Sequence, residues 1–123
     1  MKIDVVTIFP ELFKSFLKVG LLGKSVKEGK LQINIHNLRD YTIDKHHQVD
    51  DYPYGGGRGM IFMIGPLYNA YESLRQDNTF TILMSADGNL LTNTRTKKIS
   101  KKKHILIFCG RYEGIDERFK RFV

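Results

Sequence analysis

Cys109-Gly110-Arg111-Tyr112-Glu113-Gly114-Ile115-Asp116-Glu117-Arg118 decides how this chain is read. The apolar run His104-Ile105-Leu106-Ile107-Phe108-Cys109 leads into it and predicts a strand over 104–109. An aromatic residue and a carboxylate then sit between two glycines, and a charged segment of helical character begins at Asp116. Small-molecule loops of open α/β sheets have this form, because ligands bind beyond the carboxyl ends of parallel strands. Glycine removes the Cβ, so main-chain N–H and C=O groups can meet the ligand directly. Glu113 is the carboxylate best placed to reach a ligand amine or a metal. Asp116 and Glu117 suit the first turn of the next helix, where negative charge is favoured.

Working outward, Thr79–Met84 predicts a second strand, followed by Ser85-Ala86-Asp87-Gly88. The basic segment 92–103 predicts a short helix with Ile99 inward, and the connection is long enough for a right-handed crossover. The two strands would then be neighbours with their loops side by side. Upstream, Ile3–Ile8 reads as a buried strand. Pro10 opens a helix whose Phe9, Leu12, Phe13, Phe16 and Leu17 recur at helical spacing, and Gly20 ends it. A second helix over 21–28 is closed by Gly29. Leu31, Ile33 and Ile35 alternate with polar residues as in a strand, which turns His36 toward solvent. Residues 37–59 lose all periodicity. Pro66 opens a helix with Leu67, Ala70, Tyr71 and Leu74 as its apolar stripe. This order predicts one α/β domain, a mainly parallel sheet flanked by helices. His104, at the start of its strand, has no evident partner.

The segment Asp50-Asp51-Tyr52-Pro53-Tyr54-Gly55-Gly56-Gly57-Arg58-Gly59-Met60 stands apart. It is no phosphate-binding loop: it lacks the G-x-G-x-x-G order and the G-K-[ST] ending, and no clear strand precedes it. Four glycines beside two tyrosines suit either a plain surface turn or a flexible loop that lays its backbone against a flat ligand. His46, His47, Asp50 and Asp51 match no zinc spacing. Asp50 or Asp51 could share a magnesium ion with a phosphate; otherwise these are solvated loop charges. Cys109 reads as a buried structural thiol, and no nucleophile set is present.

The net charge of +7 is unevenly placed: residues 89–123 hold ten Lys/Arg and three Asp/Glu, and residues 1–88 are balanced. Arg95, Lys97, Lys98, Lys101, Lys102 and Lys103 are the densest part. Such a patch either attracts nucleic acid through counterion release or is a solvated face. No apolar run is long enough to span a membrane. The single cysteine excludes an internal disulfide framework, so a cytoplasmic location is expected.

Val49-Asp50-Asp51-x-Pro53-Tyr54-Gly55-Gly56-Gly57-x-Gly59-Met60 and Cys109–Arg118 resemble the two signature blocks of bacterial tRNA (guanine-N1)-methyltransferases. Ile8-Phe9-Pro10-Glu11-Leu12-Phe13 and Leu38-Arg39-Asp40-Tyr41-Thr42 match as well, in order and spacing. The resemblance implies the knotted SPOUT fold, S-adenosylmethionine as cofactor, and methyl transfer to N1 of the guanine 3′ of the tRNA anticodon by a homodimer. It implies a cofactor site at Met84, Ser85, Ala86, Gly88, Gly110, Tyr112, Glu113, Gly114 and Ile115. It implies guanine or tRNA contacts at Tyr54, Gly55, Gly56, Gly57, Arg58 and Gly59, and less directly at His46 and Asp50. Magnesium would fall to Glu113 and Asp50.

Arg58 and Ala86 stand where the family usually has proline, which bears on the glycine loop and on the adenine cradle. The family's proteins are also longer. Residues 1–123 would be the N-terminal cofactor-binding domain with the knot incomplete. The catalytic base and the C-terminal tRNA-binding domain would lie beyond Val123, leaving this chain inactive alone. The alternative is a non-catalytic basic RNA-binding module.

Overall fold

The computed structural model describes residues 1–123. Its elements are β1 (Lys2–Thr7), α1 (Glu11–Phe16), α2 (Gly20–Lys27), β2 (Gln32–Asn37), β3 (Asp50–Asp51), β4 (Ile61–Phe62), α3 (Ile64–Leu74), β5 (Thr79–Met84), α4 (Asn93–Ile99) and β6 (His104–Cys109). Short 3-10 helices cover Leu38–Tyr41 and Glu117–Arg121. The main sheet has the order β2-β1-β6-β5 and is parallel throughout. β5 and β6 pair from Thr79↔His104 to Met84↔Cys109, so the turns that follow them leave the same edge side by side, as expected. No helix is long and apolar enough to cross a membrane.

In-register parallel strands put paired side chains on one face. Val6, Leu106 and Phe108 share such a face with the fully buried Leu38, Val49, Phe62, Leu67, Ala70 and Phe119. α3 closes this face with Leu67 and Ala70. Phe119, from the segment after β6, meets Phe108 edge-on at 4.9 Å. Each buried Phe or Leu contributes about 1.5–3 kcal/mol, and the aromatic pair adds about 0.5–1.5 kcal/mol. The other face is thinly covered. α1, α2 and α4 bury no residue completely, and Leu12, Phe16 and Leu21 are 71%, 60% and 82% exposed.

A polar network crosses the core face toward the amino ends of the strands. Asp4 is 1% exposed. Its Oδ1 accepts from Asn34 Nδ2 at 2.8 Å and lies 2.9 Å from His36 Nε2. Its Oδ2 lies 2.8 Å from His104 Nε2 and 3.1 Å from Lys2 Nζ. His104 Nδ1 is in turn 2.7 Å from the Thr79 hydroxyl. Side chains of all four strands are thereby tied to one carboxylate. Burial works against its charge, but the hydrogen bonds from His36, Asn34, His104 and Lys2 outweigh it and hold the Asp4 pKa at about 2.

Two expectations about histidines are thus corrected. His36 is half-buried and bonded to Asp4 rather than turned to solvent, and the buried His104 has two partners. Their partners lie on other strands, which the pattern within one strand does not show.

Other boundaries also differ from the reading above. α1 ends at Phe16, where 3-10-type bonds tighten its last turn; Gly20, at φ 62°, begins α2 instead of ending α1. Pro66 is the third residue of α3, not its first. The aperiodic stretch 37–59 is pinned by the buried Leu38 and Val49, and β3 pairs antiparallel with β4 to make a hairpin. Residues 117–121 form a 3-10 helix rather than the start of an α-helix, fixed by Phe119 N–H donating to the Asp116 carbonyl at 2.9 Å.

The depressed Asp4 pKa makes stability pH-dependent with a definite sign. The ionised form is favoured in the fold, so its contribution is complete above the ordinary value of 3.8 and vanishes as pH falls through about 2. Urea unfolding between pH 5 and pH 2 should show a loss of about 2 kcal/mol from this group that Asp4→Asn does not show. At pH 7, Asp4→Ala should cost about 2–3 kcal/mol by stranding His104.

Candidate cofactor and substrate site

The turns after β5 and β6 enclose a cavity of about 410 Å³. Of the positions expected to hold a cofactor, Met84, Ser85, Ala86, Gly110, Tyr112, Glu113, Gly114 and Ile115 line it. Gly88 does not; it closes its turn by donating to the Ser85 carbonyl at 3.3 Å. Asp87 and Arg111, which belong to the two expected loops, line it too, and so do Leu83, Glu117 and Lys120, which were not foreseen. Asp87 shares a turn with three expected residues. Lys120 gave no signal, since it comes from the 3-10 helix and reaches Asp87 only through the fold.

That contact closes one side of the cavity. Lys120 Nζ lies 3.2 Å from Asp87 Oδ2 and 2.9 Å from Glu117 Oε1. The Ser85 hydroxyl donates to Asp87. The Ser85 hydroxyl and then Lys120 lower the Asp87 pKa, while Glu117 and Asp87 raise that of Lys120. Asp116 takes the capping role expected of it, accepting from Arg118 N at 3.0 Å while Arg118 Nη2 sits 2.6 Å from its Oδ2. Cys109 is partly buried and unpaired, and burial raises its thiol pKa, in keeping with a structural role.

The β6 turn is held in place by main chain. Glu113 N–H donates to the Met60 carbonyl at 3.1 Å, Phe62 N–H to the Gly114 carbonyl at 3.1 Å, and Asp116 N–H to the Phe62 carbonyl at 3.0 Å. The β3–β4 hairpin therefore docks along the turn, and Phe62 and Ile115 form a parallel bridge. Tyr112 adopts φ 61°, a left-handed conformation costly for a bulky residue. Its ring packs edge-on against Phe62 at 5.6 Å, and the Asp50 carboxylate beside its hydroxyl raises the phenol pKa. The Arg111 guanidinium lies 4.7 Å from the centroid of the Phe9 ring.

The glycine loop meets this turn at one point. A Cβ on Gly59, which has φ 90°, would stand 2.4 Å from Glu113 Cγ, so only glycine permits the contact. Gly55, Gly56 and Gly57 also have positive φ, at 82°, 84° and 126°, with open space around them. The loop tip is free: Tyr54 is 97% exposed, and Arg58 is exposed. Of the expected substrate residues, Gly59 and Asp50 are brought to the turn after β6. His46 is not; it is exposed, and its amide bonds back to Asp44 Oδ2 at 3.0 Å.

The expectation of magnesium at Glu113 and Asp50 finds no support. Nowhere do three or more His, Cys, Asp or Glu side chains converge as a metal would require, because Glu113 packs on Gly59 while Asp50 faces Tyr112.

Comparison with known proteins agrees with this geometry. The family model described as tRNA (Guanine-1)-methyltransferase TrmD matches residues 1–123. A tRNA (guanine-N(1)-)-methyltransferase of Dictyoglomus turgidum is 46% identical over 123 residues, covering 100% of this chain and 50% of the relative. One of Thermosipho melanesiensis is 50% identical, covering 100% of this chain and 51% of the relative. The crystal structure of tRNA (m1G37) methyltransferase from Aquifex aeolicus superimposes with a TM-score of 0.91 at 35% identity, over 100% of this chain and 56% of that one. The α/β fold is thus the SPOUT fold that the sequence suggested. The chain spans about half the length of the curated relatives it matches.

Gly59→Ala should lose about 1–3 kcal/mol of stability and shift the amide resonances of residues 112–116. Gly57→Ala, strained but unobstructed, should leave those resonances in place. Equal shifts from both would show that the Gly59–Glu113 approach is not what holds the turn.

Proposed function

Because this chain belongs to the tRNA (guanine-1)-methyltransferase family, we propose that residues 1–123 are its cofactor-binding part, acting in methyl transfer from S-adenosylmethionine to N1 of the guanine 3′ of a tRNA anticodon. The observation that carries this is the joining of two loops. The turns after β5 and β6 line one cavity, and the second turn is hydrogen-bonded to the glycine hairpin that would face the base.

The cavity fits such a cofactor in size and chemistry. Its volume lies within the range of small-molecule sites, about 300–1,000 Å³. Leu83 and Ile115 offer apolar walls, Gly110 and Gly114 leave main chain uncovered by side chains, and Glu113 supplies a carboxylate for an amine. When bound, the cofactor presents an electrophilic methyl sulfonium.

The residues here orient the reactants, and orientation alone removes several kcal/mol of a bimolecular barrier. Guanine N1 carries a proton near neutral pH, so a base must take it. The carboxylates in and beside the cavity have other partners: Glu113 is assigned to the cofactor's amine, Asp87 and Glu117 share Lys120, Asp116 holds Arg118, and Asp50 faces Tyr112. We therefore assign the base, and a tRNA-binding domain, to the half of the family's length outside residues 1–123.

The exposed Leu12, Phe16 and Leu21 of α1 and α2 suit burial against a second copy, in keeping with a homodimer, and a tRNA substrate is in keeping with a cytoplasmic location. A non-catalytic RNA-binding module would leave the shared cavity without a purpose.

Calorimetric titration of S-adenosylmethionine should show at least tenfold weaker binding for Tyr112→Ala and Glu113→Gln, with little change in the unfolding midpoint. Residues 1–123 alone should transfer no methyl group to tRNA transcript. Undiminished affinity in both variants would remove the site assignment, and turnover by residues 1–123 would place the base within them.

A further inference from the structure

The largest concentration of unmatched charge lies at the opposite end of the sheet from the cavity just described. Lys97 and Lys98 sit in the last turn of α4, and Lys101, Lys102 and Lys103 lie in the connection into β6. All five are exposed. None has a carboxylate within 4.0 Å, although Lys2, Lys14, Lys24, Lys30 and Lys120 do. Favourable interaction with the helix dipole accounts for Lys97 and Lys98. It does not account for the next three, which lie beyond the helix.

Those three line a groove of about 420 Å³ together with Asn78, Thr79 and Phe80. Lys102 Nζ stands 5.1 Å from the centroid of the Phe80 ring, so its nearest named partner is an aromatic face and not an acid. The segment is anchored rather than loose. Lys102 N–H donates to the Ile99 carbonyl at 2.9 Å, and the Lys103 carbonyl accepts from Lys2 N–H at 2.9 Å. The ammonium groups are therefore projected from a fixed edge of the sheet.

The groove is at the amino ends of β5 and β6, and the cofactor cavity is at their carboxyl ends. Six-residue strands separate the two by roughly 20 Å. A polyanion long enough to span that distance could engage this groove while another part of it reaches the cavity. Five cations without a carboxylate partner, few apolar side chains and a bordering amide suit phosphates rather than a buried acyl chain.

We propose that this groove binds the phosphodiester backbone of RNA, at a surface separate from the loops that meet the target base. The reading above enters only in favouring RNA over other polyanions.

The test uses residues 1–123 with labelled tRNA transcript and, separately, phosphatidylserine vesicles. Lys101→Gln/Lys102→Gln/Lys103→Gln is compared with Lys18→Gln/Lys24→Gln/Lys27→Gln, which removes the same charge from α2 and the turn that precedes it. The groove triple should weaken tRNA binding at least tenfold and reduce the slope of log affinity against log salt by about three. The control triple should weaken it less than threefold. Far-UV spectra and unfolding midpoints of both should match the parent, since every exchanged side chain is exposed. Cofactor titration should be unaltered in both, so a failure of the cofactor reading would show there and not in the salt slope. Equal loss in the two triples would reduce the effect to net charge and overturn the proposal. So would unchanged tRNA binding, or vesicle binding that is lost in place of RNA binding.

Discussion

Three main-chain hydrogen bonds between residues 60–62 and 113–116 bind the turn after β6 to the β3–β4 hairpin. The turn alone would be a flexible strand-end loop with a strained Tyr112 in it. The hairpin alone would be a two-residue ladder, too short to persist in water. Together they extend the architecture past the end of the main sheet and bring Gly59 against Glu113, which lines the cavity. Gly59 sets the closeness of that approach, because any side chain there would displace Glu113.

This arrangement needs firm supports on both sides. On one side is β6, an inner strand of the parallel sheet. On the other is Phe119, buried against Phe108 and facing Tyr71 edge-on at 6.3 Å. Between these anchors the chain is free to adopt positive φ at Tyr112 and Gly114. Farther down the same face, apolar packing gives way to the Asp4 network, which ties the four strands in register. A lone buried carboxylate would be costly; with four bonded partners it instead fixes which strands lie side by side.

The strands, their parallel order and the adjacent turns after β5 and β6 were legible because each is encoded locally: apolar runs, glycines at strand ends, alternating patterns. What was hidden depends on contacts distant in the chain. Asp4 and His104 lie a hundred positions apart and meet only through the β1–β6 register. Lys120 reaches Asp87 across 33 residues. The stretch 37–59 has no period because its order comes from two buried points, Leu38 and Val49, and from pairing with residues that follow it. The 3-10 geometry after Asp116 reflects the position of Phe119 in the core rather than helix propensity. The magnesium expectation weighed carboxylates by their places in the chain, and the fold gathers no group of three or more metal-ligating side chains around them.

A sheet with one well-packed face and one thinly covered face carries the cavity-lining turns at its carboxyl edge and unpaired lysines at its amino edge. The account depends above all on the glycine hairpin and the turn after β6 being one unit. Native-state hydrogen exchange tests this residue by residue. The amides of Phe62, Glu113 and Asp116 should be protected to a degree comparable with Ile105 in β6, while Gly57 exchanges freely. Exchange of all three as fast as Gly57 would mean that the two loops move independently, and would contradict the account.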